Sequence, residues 1–595
     1  MKTLRTMKRC VVALLFSAIM ALPVLAAETL PDSKELMRAL TDEIKRSMKL
    51  QMEDLEKPYF IQYTVDDSLA YQLTANYGAI TSSDRRRSRD FYSQTRVGSY
   101  ELDNTNFTEE TGGFFMFFGG RGGGGGRASL PLDEDYTAIR QSIWWATDQD
   151  YKGAVETLTK KRAYMRDKTL EDRPHDFSKA SVVEHVEATA KIDFDRAAWE
   201  KKLKKMSLQF NKHPQIQDSK VQLFVAAGNT YIVNTEDTRL RTARTGALLI
   251  ISAELQAEDG MKISDNWEYY GPTPQDLPPV GKILPDIDRA VDILTKVAKA
   301  PVLERYTGPV LFDGIASPKM FRTMMAEGVA GQVDPVGTQR RQLTGAGSLE
   351  KKLGQRILPA SFQVYDDPTV RKVSDTPLLG HYRYDDEGVQ AERVNLVVDG
   401  VLKSMVLSRV PTKKLSGSNG HARRVPGSGT VKAAVGCLLV TDNEGVENKE
   451  LKDKLIDLAG EEGLDYGLRI ASVRTAGIGS SRMDLFASFM RMQQRGGEQN
   501  LGDPIYAYKV YADGREELVR GLEFGEVKPR DLKRIAAAGT TPTVYNYIGI
   551  GFGGATPATS IVAPPVLFEE LELSKIEQEQ DKLPILKTPL ERKGG

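Results

Sequence analysis

The chain has 595 residues, 40% of them hydrophobic and 27% charged, with 81 Lys/Arg against 81 Asp/Glu. That length is too great for one ordinary core, and that composition excludes a disordered or collagen-like chain. No broad basic field marks the sequence, which excludes nucleic acid as the main partner.

The first 26 residues read as a removable secretory signal. Lys2, Arg5, Lys8 and Arg9 form a basic region, Val11 to Leu22 an apolar one, and Val24-Leu25-Ala26 a small-residue cleavage site. The apolar run is shorter than the roughly 20 residues a membrane span needs. An exported protein of a bacterial periplasm or cell envelope is therefore expected. Cleavage removes four of the 81 basic residues and none of the 81 acidic ones, leaving a net charge near −4. It also removes Cys10, so Cys437 has no partner for an internal disulfide and reads as a small buried side chain.

Leu36, Leu40, Ile44 and Met48 fall at helical spacing and predict an amphipathic helix. Aromatic and β-branched runs predict strands at Tyr59–Val65 and Ala70–Thr74, with a β pattern continuing to Tyr100. Within it, Arg85 to Arg89 reads as a solvated strand end. The glycine-rich segment 119–126, preceded by Phe114, Phe115, Phe117 and Phe118, lacks the lysine-serine ending of a phosphate loop and reads as a mobile loop. Helices are predicted over Tyr136–Met165, Asp195–Phe210 and Asp286–Ala298, and strands over Val221–Ala226, Asn229–Asn234 and Gly246–Ala253. Pro301 then marks a boundary. This gives an α/β N-terminal domain over 27–300.

Pro309 to Phe312 predicts a buried strand. Ser317 is the candidate cap and Pro318 the first residue of a helix running from Lys319 to Gly331, whose one acid is Glu327. Further on, Glu450–Leu458 predicts a helix, and Gly467–Val473, Met483–Met492, Ile505–Tyr511 and Glu517–Leu522 predict strands, with Asp513-Gly514 as a hairpin turn. Pro529–Ala538 predicts a helix and Ile561–Leu573 a strand, before a loose charged tail over 574–595. The fold class expected is α+β, with a β-rich C-terminal domain over 301–573.

Between Val310 and Arg424 the chain carries an ordered motif series. After the Glu327 helix come Gly354-Gln355-Arg356, Tyr365-Asp366-Asp367-Pro368, Tyr384-Asp385-Asp386-Glu387-Gly388, Val398-Asp399-Gly400, Leu407-Ser408-Arg409 and Gly420-His421-Ala422-Arg423-Arg424. In order and spacing this series resembles the TldD/PmbA family of zinc metallopeptidases and their non-catalytic partner subunits. The resemblance implies an α/β N-terminal domain, a β-rich C-terminal one, and proteolysis of unfolded peptides in a chamber shared by two subunits.

The zinc motif departs from the family. Its catalytic members carry His-Glu-x-x-x-His on the helix, where this chain has Ala326-Glu327-Gly328-Val329-Ala330-Gly331. Their further ligand is a cysteine in a glycine-rich segment that here resembles Ile550-Gly551-Phe552-Gly553-Gly554-Ala555. A catalytic zinc needs about three protein ligands, and alanine and glycine supply none. Residues five apart on an α-helix also differ by about 140° in direction, so ligands at that spacing need a locally adapted helix. The expectation is no metal ligand and no zinc cofactor. Glu327 is then a vestigial general base, or a structural acid paired with Arg322 or Arg340. The resemblance makes His421, Arg423 and Arg424 candidate peptide-binding residues, since their loop matches one beside the family's cleft.

The function expected is a peptide-binding or partner subunit without zinc, working with a catalytic TldD-like chain or as a homodimer. The alternatives are a self-contained hydrolase rebuilt around Glu327, His381 and Asp385-Asp386-Glu387, and an envelope binding or assembly protein that keeps only the fold. The five histidines, His175, His185, His213, His381 and His421, never pair at helical spacing.

Overall fold

The computed structural model describes residues 28–108, 126–166, 173–337, 349–425, 429–475, 501–548, 550–551, 554–555, 557–576 and 588–590. The cleavage site, the glycine-rich segment before Gly126, the strand expected at Met483–Met492 and most of the tail lie outside them.

The N-terminal half is a long antiparallel sheet with helices on one face. Its strands are β1 (Pro58–Asn76), β2 (Ala79–Val97), β3 (Asp218–Asn234), β4 (Arg239–Gln256) and β5 (Lys262–Gly271), in the order β2-β1-β3-β4-β5. Helices α1 (Lys34–Ser47), α2 (Tyr136–Arg166), α3 (Arg196–Leu208) and α4 (Val280–Lys299) supply the covering layer. Leu36, Leu40 and Ile44 of α1 and Ile139 and Ile143 of α2 pack on Ile61, Tyr63 and Val65. Trp199 and Leu203 of α3 and Ile287, Val291 and Leu294 of α4 pack on Leu223, Leu249 and Ile251. Each such large apolar side chain taken out of water contributes about 1.5–3 kcal/mol.

The strands are longer than the sequence predicts. The expected break between Val65 and Ala70 is absent because Asp67 is not in a turn. It lies directly across from Arg89, both side chains fully buried, with Arg89 Nη2 3.0 Å from Asp67 Oδ2. The buried ion pair lets one continuous strand carry a charge through the core. It also corrects the reading of Arg85 to Arg89 as a strand end. Arg85 and Arg86 are exposed in the middle of β2, whereas Arg89 is inside.

The C-terminal half has two sheets with a short helix between them. One contains β6 (Arg305–Phe312), β10 (Tyr466–Val473), β11 (Pro504–Tyr511), β12 (Glu516–Val519) and β15 (Val566–Lys575), paired β12-β11-β10-β6-β15. The other contains β7 (Phe362–Asp366), β8 (Val394–Val398), β9 (Cys437–Asp442), β13 (Thr543–Tyr547) and β14 (Thr559–Ala563), paired β8-β7-β9-β14-β13. Helix α5 (Ala316–Phe321) and the turn that follows it fill the space between, through Met320 and Phe321 and then Met324 and Met325, and α6 (Asn448–Glu461) covers the first sheet from outside.

Three predicted boundaries change. Ile561–Leu573 is two strands in different sheets, β14 and β15, because Pro564-Pro565 interrupts both ladders. Pro529–Ala538 is a 3-10 turn to Arg534 followed by a strand over Ile535–Ala538 that pairs with β15. The Glu327 helix stops early, as described next. The mixed α+β architecture, with a β-rich C-terminal half, is as expected.

Candidate functional site

Helix α5 begins one residue before Ser317, which is not its cap. The Ser317 hydroxyl instead donates to the carbonyl of Pro564. After Phe321 the winding loosens into a π turn over Arg322–Ala326, and Glu327 closes it. Such turns recur at functional sites. Beyond it the chain is no longer helical. Ala330 forms a β-bridge with Val406, and the Gly331 N–H donates to Val406 O at 2.8 Å. The predicted helix from Lys319 to Gly331 therefore ends at Ala326.

This geometry closes the zinc position sterically as well as chemically. A Cβ on Gly331 would lie 2.5 Å from Leu407 Cδ2 and 3.1 Å from Thr412 Cγ2. The residues present do not fit the zinc ion of the catalytic relatives. Ala326 and Gly331 offer no donor, Gly331 has no room for one, and Gly551 to Ala555 brings only glycine, phenylalanine and alanine side chains. Among the described residues, no three His, Cys, Asp or Glu side chains converge on one point. Glu327 itself is exposed. The expected partner Arg322 turns away from it, stacking at 3.7 Å on the Tyr547 ring and donating to its hydroxyl at 2.6 Å. Arg340 lies outside the described residues.

The other singled-out residues are mostly structural in this geometry. His421 is fully buried, with Nε2 3.1 Å from Asp366 Oδ1 and Nδ1 2.9 Å from Asn419 O. Arg423 is buried over the Tyr382 ring at 4.3 Å, and Arg424 reaches across to Asp66 of β1 at 2.6 Å. The Asp385 carboxylate accepts the backbone N–H groups of Glu387, Val389 and Ala422, and Glu387 accepts that of Arg409 at 2.7 Å. Burial pushes both carboxyls up from their ordinary range. His381 points Nδ1 at Pro368 O, 2.8 Å away, and burial lowers its pKa. These groups hold a loop in place rather than facing a common reactant.

A cavity of about 980 Å³ opens beside α5, and sequence reasoning missed it. Its walls come from both halves of the chain: Ser264 to Tyr270 of β5, Lys319 of α5, Ala471 and Ser472 of β10 with Arg474 and Thr475 just after it, Tyr506 of β11, and Tyr545 and Asn546 of β13. Because consecutive β5 residues line it, the cavity follows the edge of that strand rather than one face. Among the described residues no strand pairs with that edge.

Three ionisable groups mark the floor. Asp265 accepts the Tyr506 hydroxyl at 2.6 Å and the Asn266 N–H at 2.8 Å. Lys319 donates to Val473 O at 2.9 Å and lies 5.5 Å from the centre of the Tyr545 ring. Glu268 lines the cavity and is exposed. Burial raises the pKa of both carboxyls and lowers that of Lys319, while the opposite charges offset part of each shift. Ionisable groups displaced in this way by a cavity are characteristic of binding and catalytic sites. The sequence offered one faint signal, the dense acid and aromatic run Asp265-Asn266-Trp267-Glu268-Tyr269-Tyr270.

Comparison with known proteins agrees with the motif series. Residues 305–477 match the family model of the PmbA/TldA metallopeptidase C-terminal domain. A protein of Archaeoglobus fulgidus named "Metalloprotease" is 43% identical over 81 residues, which is 14% of this chain and 18% of that protein. One of Methanothermobacter thermautotrophicus with the same name is 32% identical over 127 residues, 21% of this chain and 24% of that protein. The matched stretches thus span under a quarter of these relatives' length. The crystal structure of TldE from Thermococcus kodakarensis shares the fold, with a TM-score of 0.56 at 15% identity over 90% of this chain and all of that one.

Proposed function

We propose that this chain, which has the TldD/PmbA fold and carries that family's C-terminal domain, is an exported peptide-binding protein without its own zinc site. In this reading it holds extended or unfolded polypeptide while a catalytic partner of the same family cleaves it. The observation that carries the reading is the cavity along the edge of β5 with which no strand pairs among the described residues. An exposed strand edge offers a row of backbone N–H and C=O groups that an extended peptide satisfies without sequence demands. Trp267, Tyr269, Tyr506 and Tyr545 add apolar and hydrogen-bonding surface for side chains. Absence of donors at Ala326 and Gly331 supports a non-catalytic role, and the likeness to TldE supports a partner subunit.

The rebuilt-hydrolase alternative needs Glu327, His381 and the Asp385 to Glu387 run in one site. The committed hydrogen bonds of His381, Asp385 and Glu387 weigh against it. The reading is tested by adding an unstructured peptide to the purified chain and following Trp267 fluorescence and peptide anisotropy. Saturable binding is expected, weakened by Trp267→Ala. Native purification of the tagged protein from the envelope fraction should recover a family member with both motif histidines. Recovery of the chain alone would favour the homodimer or the assembly-protein reading.

A further inference from the structure

Lys220, Lys262, Lys282, Lys319 and Arg474 line the cavity. Lys220 pairs with Asp218 at 3.0 Å and Lys262 with Glu254 at 3.4 Å. Lys282 of α4 is exposed, so water solvates its charge. Lys319 and Arg474 are different: both are half-buried, and they are neighbours. Lys319 Nζ donates to Val473 O at 2.9 Å, and Val473 is the residue before Arg474. Arg474 Nη1 donates in turn to Ser264 Oγ of β5 at 3.0 Å. The Tyr545 ring centre lies 5.5 Å from Lys319 Nζ, and the Tyr545 hydroxyl is 3.1 Å from Thr475 Oγ1. Helix α5, the end of β10, β5 and β13 thus meet around two fixed cations.

Neither cation has a counter-ion. Among the described residues neither forms an ion pair, and the acceptor of each is a neutral oxygen. Each side chain uses a single N–H in this way, although lysine carries three and arginine five. The adjacent acid, Asp265, is held by the Tyr506 hydroxyl and the Asn266 N–H. Glu268 is four residues beyond Ser264, about 13 Å along the strand. Burial holds the Lys319 pKa down, and Arg474 adds to that effect. Two like charges side by side, partly withdrawn from water, favour an anion between them. A carboxylate matches the donors: the arginine fork meets its two oxygens, the ammonium adds a point charge, and Ser264 Oγ, already an acceptor, has its own O–H to donate.

We propose that Lys319 and Arg474 form a carboxylate-binding subsite at the Ser264 end of the cavity, taking the C-terminal carboxylate or an acidic side chain of the bound peptide. The inference rests on the peptide-binding reading above and adds a preference to it.

The test uses the full-length protein and unstructured peptides labelled with a fluorophore at the N-terminus. One pair has no acidic residue and ends in a free acid or an amide. A second pair ends in an amide and carries glutamate or glutamine at its centre. The carboxylate member of at least one pair is expected to bind about 5–10-fold more tightly, the scale of one charge-assisted hydrogen bond. A preference confined to the first pair assigns the site to the C-terminus, and one confined to the second assigns it to a side chain. Lys319→Gln/Arg474→Gln should bring the preferred pair within about twofold, while Arg474→Lys keeps part of the preference. Thermal unfolding confirms that each variant is folded, and the single variants Lys319→Gln and Arg474→Gln serve if the double one is not. Equal affinity within both pairs for the unmodified protein would overturn the inference while leaving peptide binding intact. A preference that survives in the folded glutamine variants would overturn the assignment to these residues. Failure of every peptide to bind would remove the peptide-binding reading and this inference with it.

Discussion

At the scale of single residues, glycine and burial decide more than charge does. Gly331 accepts no side chain without displacing Leu407 and Thr412. Gly331→His is therefore expected to destabilise the protein by about 1–3 kcal/mol through overpacking, and the double variant Ala326→His/Gly331→His to hold no stoichiometric zinc. Thermal unfolding and elemental analysis of both variants check this. Asp150 of α2 offers a pH test. Its carboxylate accepts the Thr95 N–H at 2.7 Å and the Ser93 hydroxyl at 3.0 Å, yet burial raises its pKa to about 6. The folded state thus holds this proton more tightly than the unfolded state, so folding loses stability as pH climbs from about 4 to about 6. Asp150→Asn removes that slope. Compared with the unmodified protein, it should gain up to about 2–3 kcal/mol between pH 4 and pH 7, read by denaturant unfolding at each pH. A difference independent of pH would show that Asp150 titrates normally.

At the scale of elements, the Asp67–Arg89 pair tests why β1 and β2 run unbroken. Asp67→Ala leaves the buried guanidinium with Glu134, 2.8 Å from Arg89 Nη2, as its remaining carboxylate and should cost about 1–3 kcal/mol, whereas exchanging both residues for leucine should cost less. A double-variant cycle measures it. This pair also shows what the sequence concealed. Two adjacent acids at Asp66 and Asp67 look like a turn, and only the register opposite Arg89 makes them part of a strand. Helices with clear apolar periodicity, α1, α2 and α3, were legible to within a few residues, as was the Asp513-Gly514 hairpin. The end of α5 was not, because Gly328 to Gly331 is compatible with helix locally. The β-bridge to Val406, more than 70 residues away, overrides it. The same limit hid the cavity. Asp265, Glu268, Lys319 and Tyr545 are scattered over 280 residues, and nothing local announces that they meet. His421, Arg423 and Arg424 were legible as a motif, but their burial was not.

At the scale of the whole molecule, polar links away from the cavity fasten the two halves together. Arg409 is fully buried, donates to Ser178 O at 2.7 Å and to Glu236 at 2.8 Å, and stacks over Phe177 at 4.1 Å. Arg424 adds its pair with Asp66, and the Gln62 side chain donates to Asp386 O at 3.0 Å. Arg409→Met should leave Ser178 O without this donor and Glu236 without its counter-ion, cost about 1–3 kcal/mol, and broaden unfolding as the halves lose coupling, which calorimetry detects. The cavity would then lose definition, so peptide affinity should fall although Arg409 does not line it. The central claim is that this chain binds peptide without cleaving it. Its most direct test is mass spectrometry of an unstructured peptide incubated with the purified chain, with added zinc and, separately, with a chelator. The account predicts a peptide retained by the protein and recovered intact under both conditions. Fragments that form with zinc and disappear with the chelator would contradict it.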